Sequence, residues 1–230
     1  MKEMLENSVF FGVAISIFGY ETGLFLKKKF KWSIFNPLLI SILIVVGALL
    51  VLKIDYSVYY EGAKYLSYLL TPATVCLAVP LYEQTEALKK NGKAIMAGLL
   101  AGVLTSLVSV LLLAYLFGLN HRQYVTLLPK SITTAIGMSV SEELGGMVTI
   151  TVAVIIITGV LGNMIAKTVC RLARIEEPVA KGIAIGSASH AIGTVRAMEM
   201  GEVEGAMSSL AIAVAGLLTV AGASVFANFL

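Results

Sequence analysis

An all-α polytopic membrane protein is the fold class this sequence predicts: a helical bundle forming a single transmembrane domain over residues 1–230. Three observations carry that reading. Charged residues make up 13% of the chain and hydrophobic ones 58%, against roughly 25% charged in soluble domains. The mean hydropathy is +0.90. Apolar runs of about the 20 residues needed to cross hydrocarbon cover most of the chain and leave no room for a soluble domain.

The opening stretch, Met1 to Glu6, carries charges of both signs, and the first apolar run continues to Leu26 without a small-residue cleavage pattern. It therefore reads as a retained helix over 7–26 and not as a removable signal. Further helices are predicted over 34–52, 66–82, 94–118, 147–166 and 205–229 from their apolar runs. Basic residues gather in three connections: Lys27 to Lys31; Lys89, Lys90 and Lys93; and Lys167, Arg171, Arg174 and Lys181. The positive-inside rule places all three on the cytoplasmic face, and the less basic stretches 53–65 and 119–126 outside. The net charge of +3 thus marks orientation and not nucleic-acid binding.

Two segments, 127–143 and 182–200, are richer in polar residues than a lipid-facing helix tolerates. The fourth helix delivers the chain outside near Leu119, whereas 167–181 must lie inside, so the helix at 147–166 starts outside and 127–143 has to dip in and return. Charge does not decide 182–200, which is either an ordinary polar-faced helix or a second segment that dips and returns from the cytoplasmic side. The latter gives two broken or re-entrant segments entering from opposite faces, the arrangement of carriers built from inverted repeats.

Four places break the apolar pattern. In Gly19-Tyr20-Glu21-Thr22-Gly23, Glu21 lies about a turn from the first basic cluster; it reads as an interfacial partner of Lys27 or Lys28, with proton coupling as the functional alternative. Pro72 and Pro80 should break the helix at 66–82, leaving carbonyls that, with the Thr71 and Thr74 hydroxyls, suit a cation or a substrate; a structural kink is the other reading. Pro129-Lys130-Ser131-Ile132-Thr133-Thr134 sets a proline break beside a fixed positive charge and three hydroxyls, a combination suited to a small carboxylate, with snorkelling of Lys130 to headgroups as the alternative. In the fourth, Ser187, Ser189, His190 and Thr194 supply donors and acceptors, Gly193 permits a helix break or close approach, and Arg196 adds a bidentate donor. An imidazole titrates near pH ~6.5 when unperturbed, which makes His190 a proton-coupling group.

The chain holds no GxSxG elbow and no HExxH pair, and a serine beside a histidine in one segment rarely forms a catalytic dyad, so no enzyme is expected. Cys76 and Cys170 fall in separate apolar segments without CxxC or CxxH spacing, so neither a metal nor a cofactor is expected. Gly98 with Gly102, Gly182 with Gly186 and Gly201 with Gly205 have the four-residue spacing that allows close helix approach, within the bundle or in a homo-oligomer or a complex with another membrane protein.

Leu70-Thr71-Pro72-Ala73-Thr74 with Val79-Pro80-Leu81-Tyr82, Leu128-Pro129-Lys130-Ser131 with Thr133-Thr134, Ala188-Ser189-His190-Ala191-Ile192-Gly193-Thr194, and Gly201-Glu202 with Ser208-Ser209 resemble the LrgB/CidB family, essentially end to end. The resemblance implies residence in the bacterial cytoplasmic membrane and one of two functions. Some members are described as antiholin-like or holin-like factors that, with a small LrgA/CidA-type membrane partner, modulate murein hydrolase activity and cell lysis. Others resemble carriers of small monocarboxylates such as pyruvate, glycolate or lactate. The residues favour a carrier whose anion site lies between Pro129-Lys130-Ser131 and Ser189-His190, walled by Thr71, Thr74, Thr133, Thr134 and Thr194.

Overall fold

The computed structural model describes residues 8, 10–30, 32 and 35–230, and among them the regular structure is helical. The charged opening stretch and Lys31 lie outside the described residues. Two compact units divide the chain, one ending at Cys76 and the other beginning at Leu77.

In the first unit, α1 (Phe11–Phe30) packs against α2 (Pro37–Leu52) and α3 (Tyr56–Ser67), and α4 (Leu70–Cys76) follows. Glycine lets α1 approach both neighbours. A Cβ on Gly19 would stand 3.0 Å from Ser41, and one on Gly23 would meet the backbone of Pro37. Asn36 caps α2 by accepting from the amides of Leu38 and Leu39, with Pro37 at the first helical position, where its missing N–H costs nothing. At 16 residues α2 is about 24 Å long, short of a hydrocarbon core of about 30 Å.

In the second unit, α5 (Ala78–Glu83) precedes α6 (Thr85–Phe117), α7 (His121–Leu127), α8 (Thr134–Glu143), α9 (Val148–Leu172), α10 (Pro178–Met200) and α11 (Glu202–Phe226), which ends in a 3₁₀ turn at Ala227–Phe229. Helix α6, α9 and α11 with its turn are each long and apolar enough to cross a membrane. Helix α6 stops at Gly118, whose φ of 62° lets the amides of Gly118 and Leu119 turn back to the carbonyls of Tyr115 and Ala114. The buried face of α11 is made mostly of small residues, among them Gly205, Ala206, Ser208, Ala211 and Ala215, so neighbouring backbones come close.

Several boundaries differ from the sequence reading. Helix α6 starts at Thr85 and not near 94, so Lys89, Lys90 and Lys93 sit on its first turns and not in a connection. Its 33 residues span about 50 Å, which lets the basic turns stand beyond the hydrocarbon while the apolar part crosses it. Lys167 and Arg171 likewise ride on the end of α9, and Lys181 on the start of α10. The stretch 53–65, expected as a connection, is largely α3, whose tyrosine rings pack together: the Tyr56 ring centroid lies 5.9 Å from that of Tyr60, stacked, and 5.9 Å from that of Tyr59, tilted. The helix expected over 66–82 is instead α4 and α5. Pro72 and Pro80 do not sit at the breaks but in the first turn of α4 and of α5, where proline is tolerated, and the chain turns just before each helix.

Candidate functional site

Segment 121–147 is a hairpin. It enters through α7, which is locked by a capping box in which Asn120 accepts from the amide of Gln123 and the Gln123 side chain accepts from the amide of Asn120. The chain turns through Leu128–Thr133, returns as α8, and by Met147 is back against the end of α7: the Met147 amide donates to the Thr126 hydroxyl over 2.9 Å. Thr151, fully buried on α9, donates its hydroxyl hydrogen to the Thr126 carbonyl at 2.9 Å and shares a hydrogen bond of 2.7 Å with the Ser141 hydroxyl. These buried hydroxyls close the base of the hairpin. The chain thus reverses within 127–143, as a segment that dips and returns must.

Segment 178–200 is a second hairpin inside a single run of helix. Its first arm runs parallel to α11: Gly182 meets Glu204 and Met207, and Gly186 meets Ser208 and Ala211. Its second arm runs antiparallel to α11: the Thr194 hydroxyl hydrogen-bonds that of Ser208 at 2.8 Å, and Gly205 meets Met198. Direction therefore reverses between the arms. The reversal is at His190, with φ 42° and ψ −144°, a region glycine enters freely and other residues rarely. Gly193 is not the break. It permits the close approach of the arms, since a Cβ there would stand 3.2 Å from the Ile185 side chain.

The ring of His190, 3% exposed, uses Nε2 to donate to the Ile155 carbonyl at 3.0 Å. A carbonyl only accepts, so Nε2 carries the hydrogen. Gly159 makes room for the ring, as a Cβ there would come within 2.8 Å of it. Below the turn, the Asn163 side chain donates to the Ile192 carbonyl at 2.8 Å, and the Thr194 hydroxyl donates to the His190 carbonyl at 3.0 Å. Each compensates a carbonyl that the reversal disturbs.

The two hairpins meet at a partly open cavity of about 1120 Å³ lined by α6, α9, α10 and the turn of the first hairpin. Gly98 faces Ile183 and Gly102 faces Ser187, so one turn further along α6 Ser106 stands level with the second hairpin's turn. There the Lys130 ammonium donates to Ser131 at 3.0 Å and to Ser106 at 3.3 Å, and these two hydroxyls share a hydrogen bond of 3.1 Å. No carboxylate pairs with Lys130 among the described residues. Ser187 and Ser189 complete the polar end.

Of the residues singled out in the sequence, Lys130, Ser131, Ser187 and Ser189 line this cavity. His190 and Thr194 do not; they brace its wall. Thr133 sits at the N-cap position of α8 without a capping bond from its side chain, and neither it nor Thr134 is part of the lining. Arg196 pairs with Glu199 at 2.5 Å on the same helix, away from the lining. Thr71 and Glu21 are exposed residues of the first unit, whereas the lining comes from the second; the Thr74 side chain lies outside what the structure describes. Ser106 and Ser109 were missed. Thr105-Ser106-Leu107-Val108-Ser109 was their signal, three hydroxyls inside an otherwise apolar span. The glycine pairs are all consumed within the chain: Gly98 and Gly102 against the second hairpin, Gly182 and Gly186 against α11, and Gly201 and Gly205 against Glu204 and Met198.

The LrgB-like family model matches residues 16–229. The chain is similar to the holin-like protein CidB of Staphylococcus aureus (strain Mu50 / ATCC 700699), 40% identical over 194 residues, which cover 84% of this chain and 85% of that protein. It is also similar to the antiholin-like protein LrgB of Bacillus mycoides (strain KBAB4), 35% identical over 222 residues and 96% of each chain, and equally to that of Bacillus cereus (strain B4264). No solved structure matches.

Proposed function

The chain belongs to the LrgB-like family, and from that premise we propose that it acts in the bacterial cytoplasmic membrane as an antiholin-like or holin-like factor. In this reading it modulates murein hydrolase activity and cell lysis with a small LrgA/CidA-type membrane partner. Likeness over most of its length to relatives bearing those names supports it. The activity requires no bond-making step by the chain itself.

One observation favours a second reading, a carrier or carrier subunit for small monocarboxylates such as pyruvate, glycolate or lactate. It is the half-buried Lys130, held by Ser106 and Ser131 in a cavity where the turns of the two hairpins meet, with no carboxylate paired to it among the described residues. Oligomerising helices alone do not require such a group, while a carboxylate crossing the membrane needs one to replace its hydration.

Purified protein in liposomes, alone and with the small partner, separates the two. Saturable uptake of labelled pyruvate, glycolate or lactate that is lost in Lys130→Ala supports the carrier. Unselective leakage of larger solutes, indifferent to Lys130, supports the holin-like factor.

A further inference from the structure

The cavity is far larger than a three-carbon acid requires, and its chemistry is uneven along its length. Its deep end holds Lys130, Ser106 and Ser131; its far end reaches Lys90, Asn91 and Glu177. Lys90 and Ser106 are sixteen residues apart on one helix, or about 24 Å at roughly 1.5 Å per residue. Between the ends the lining is apolar, with Ile95 and Ala101 from α6, Leu161 and Ile165 from α9, and Val179 and Ile183 from α10. A bare small anion gains nothing from such walls and loses hydration along them. An apolar chain gains about 25 cal/mol for every Å² it removes from water. The volume, about 1120 Å³, lies just above the range of roughly 300–1,000 Å³ in which proteins hold drug-sized ligands.

We infer that this cavity takes an anionic amphiphile, its carboxylate head on Lys130, Ser106 and Ser131 and its apolar chain along the walls between α6, α9 and α10. This rests on the reading of Lys130 as the anion-holding group and extends it from three-carbon acids to carboxylates that carry an alkyl chain. Lys130 fixes the head because, among the described residues that line the cavity, it is the cation beside Ser106 and Ser131. Ala101 faces the chain and not the head.

The test is equilibrium binding of butanoate, octanoate, dodecanoate and dodecanol to the full chain in amphipol, with Lys130→Gln and Ala101→Phe compared in the same medium so that partitioning into the amphipol cancels. Affinity is expected to rise about threefold to fourfold per methylene, roughly a hundredfold from octanoate to dodecanoate. Dodecanol should bind at least tenfold more weakly than dodecanoate, and Lys130→Gln should erase that difference. Ala101→Phe should weaken dodecanoate and spare butanoate. If butanoate and dodecanoate bind equally and both depend on Lys130, the amphiphile falls while Lys130 remains an anion site. If no carboxylate binds saturably, or binding ignores Lys130, both readings fall together.

Discussion

Nε2 of His190 and the carbonyl oxygen of Ile155 lie 3.0 Å apart, and this bond, with the one from Asn163 to the Ile192 carbonyl, fastens the turn of the second hairpin to α9. Ile155 also meets the first hairpin, because a Cβ on Gly137 would collide with its side chain. Both re-entrant segments are thus set against one residue. The position of His190 in chain reversal, and not in the cavity lining, gives it a supporting role.

That role predicts an order of stabilities. His190→Gly loses the hydrogen bond but relieves a backbone conformation that costs other residues on the order of 1–3 kcal/mol; His190→Ala loses the bond and keeps the strain. In detergent, His190→Gly should melt above His190→Ala. His190→Gln, whose amide also donates, should retain any substrate movement the native chain shows. If His190→Gln is folded yet inert while the native chain transports, the imidazole does more than brace the turn.

Lys130 and Ser106 should act as a pair. Lys130→Ala is expected to abolish substrate movement and leave membrane insertion intact. Ser106→Val removes one of the two hydroxyls that hold the ammonium and should weaken apparent substrate affinity several-fold at similar maximal rate. Uptake kinetics of the two variants check this; unchanged uptake in Lys130→Ala rejects the site.

What the sequence revealed follows from which signals are local. Pro129 and the run of hydroxyls after it mark a break by composition alone, and the charge count forces 127–143 to return, so the first hairpin was legible. The second was legible as a polar stretch but not in its turn. Glycine is the usual residue at positive φ, which drew the reading to Gly193, whereas tertiary contacts with Ile155 and Gly159 hold His190 there. Thr194 resembled a binding wall because its hydroxyl is visible in sequence while its partners, the His190 carbonyl and Ser208, are not. Ser106 went unseen because a serine in an apolar helix acquires meaning only from what faces it.

Gly162 and Ser189 are matched in size. A Cβ on Gly162 would overlap the Ser189 side chain, so Gly162→Ala should destabilise by about 1–3 kcal/mol through overpacking. Ser189→Gly clears that space. The double variant should therefore be no less stable than Ser189→Gly alone, a coupling that a double-mutant cycle of thermal midpoints measures. Strict additivity would mean the contact is not made.

The glycine pairs distinguish internal packing from partner docking. An added Cβ at Gly98 would make an ordinary 3.4 Å contact with Ile183, whereas at Gly182 or Gly186 it would run into the backbone of α11. Gly98→Ala should be nearly silent, and Gly182→Ala and Gly186→Ala should lower the thermal midpoint of the chain purified without a partner. If Gly182→Ala leaves the lone chain intact and instead prevents assembly with another protein, that face belongs to a partner.

Thr151 provides the last test, because it joins three elements through one hydroxyl. It is fully buried, shares a hydrogen bond of 2.7 Å with Ser141 at the end of α8, and donates to the Thr126 carbonyl at the end of α7. Thr151→Val keeps the shape and deletes the hydroxyl, leaving Ser141 buried without that partner, which costs about 1–3 kcal/mol. Because the lost bonds close the base of the first hairpin, loosening should reach Lys130 at its turn. Hydrogen exchange is expected to quicken across 121–147 in Thr151→Val while the second hairpin keeps its protection. Equal quickening in both would mean that the hairpins open as one body and that their bases are not independent closures.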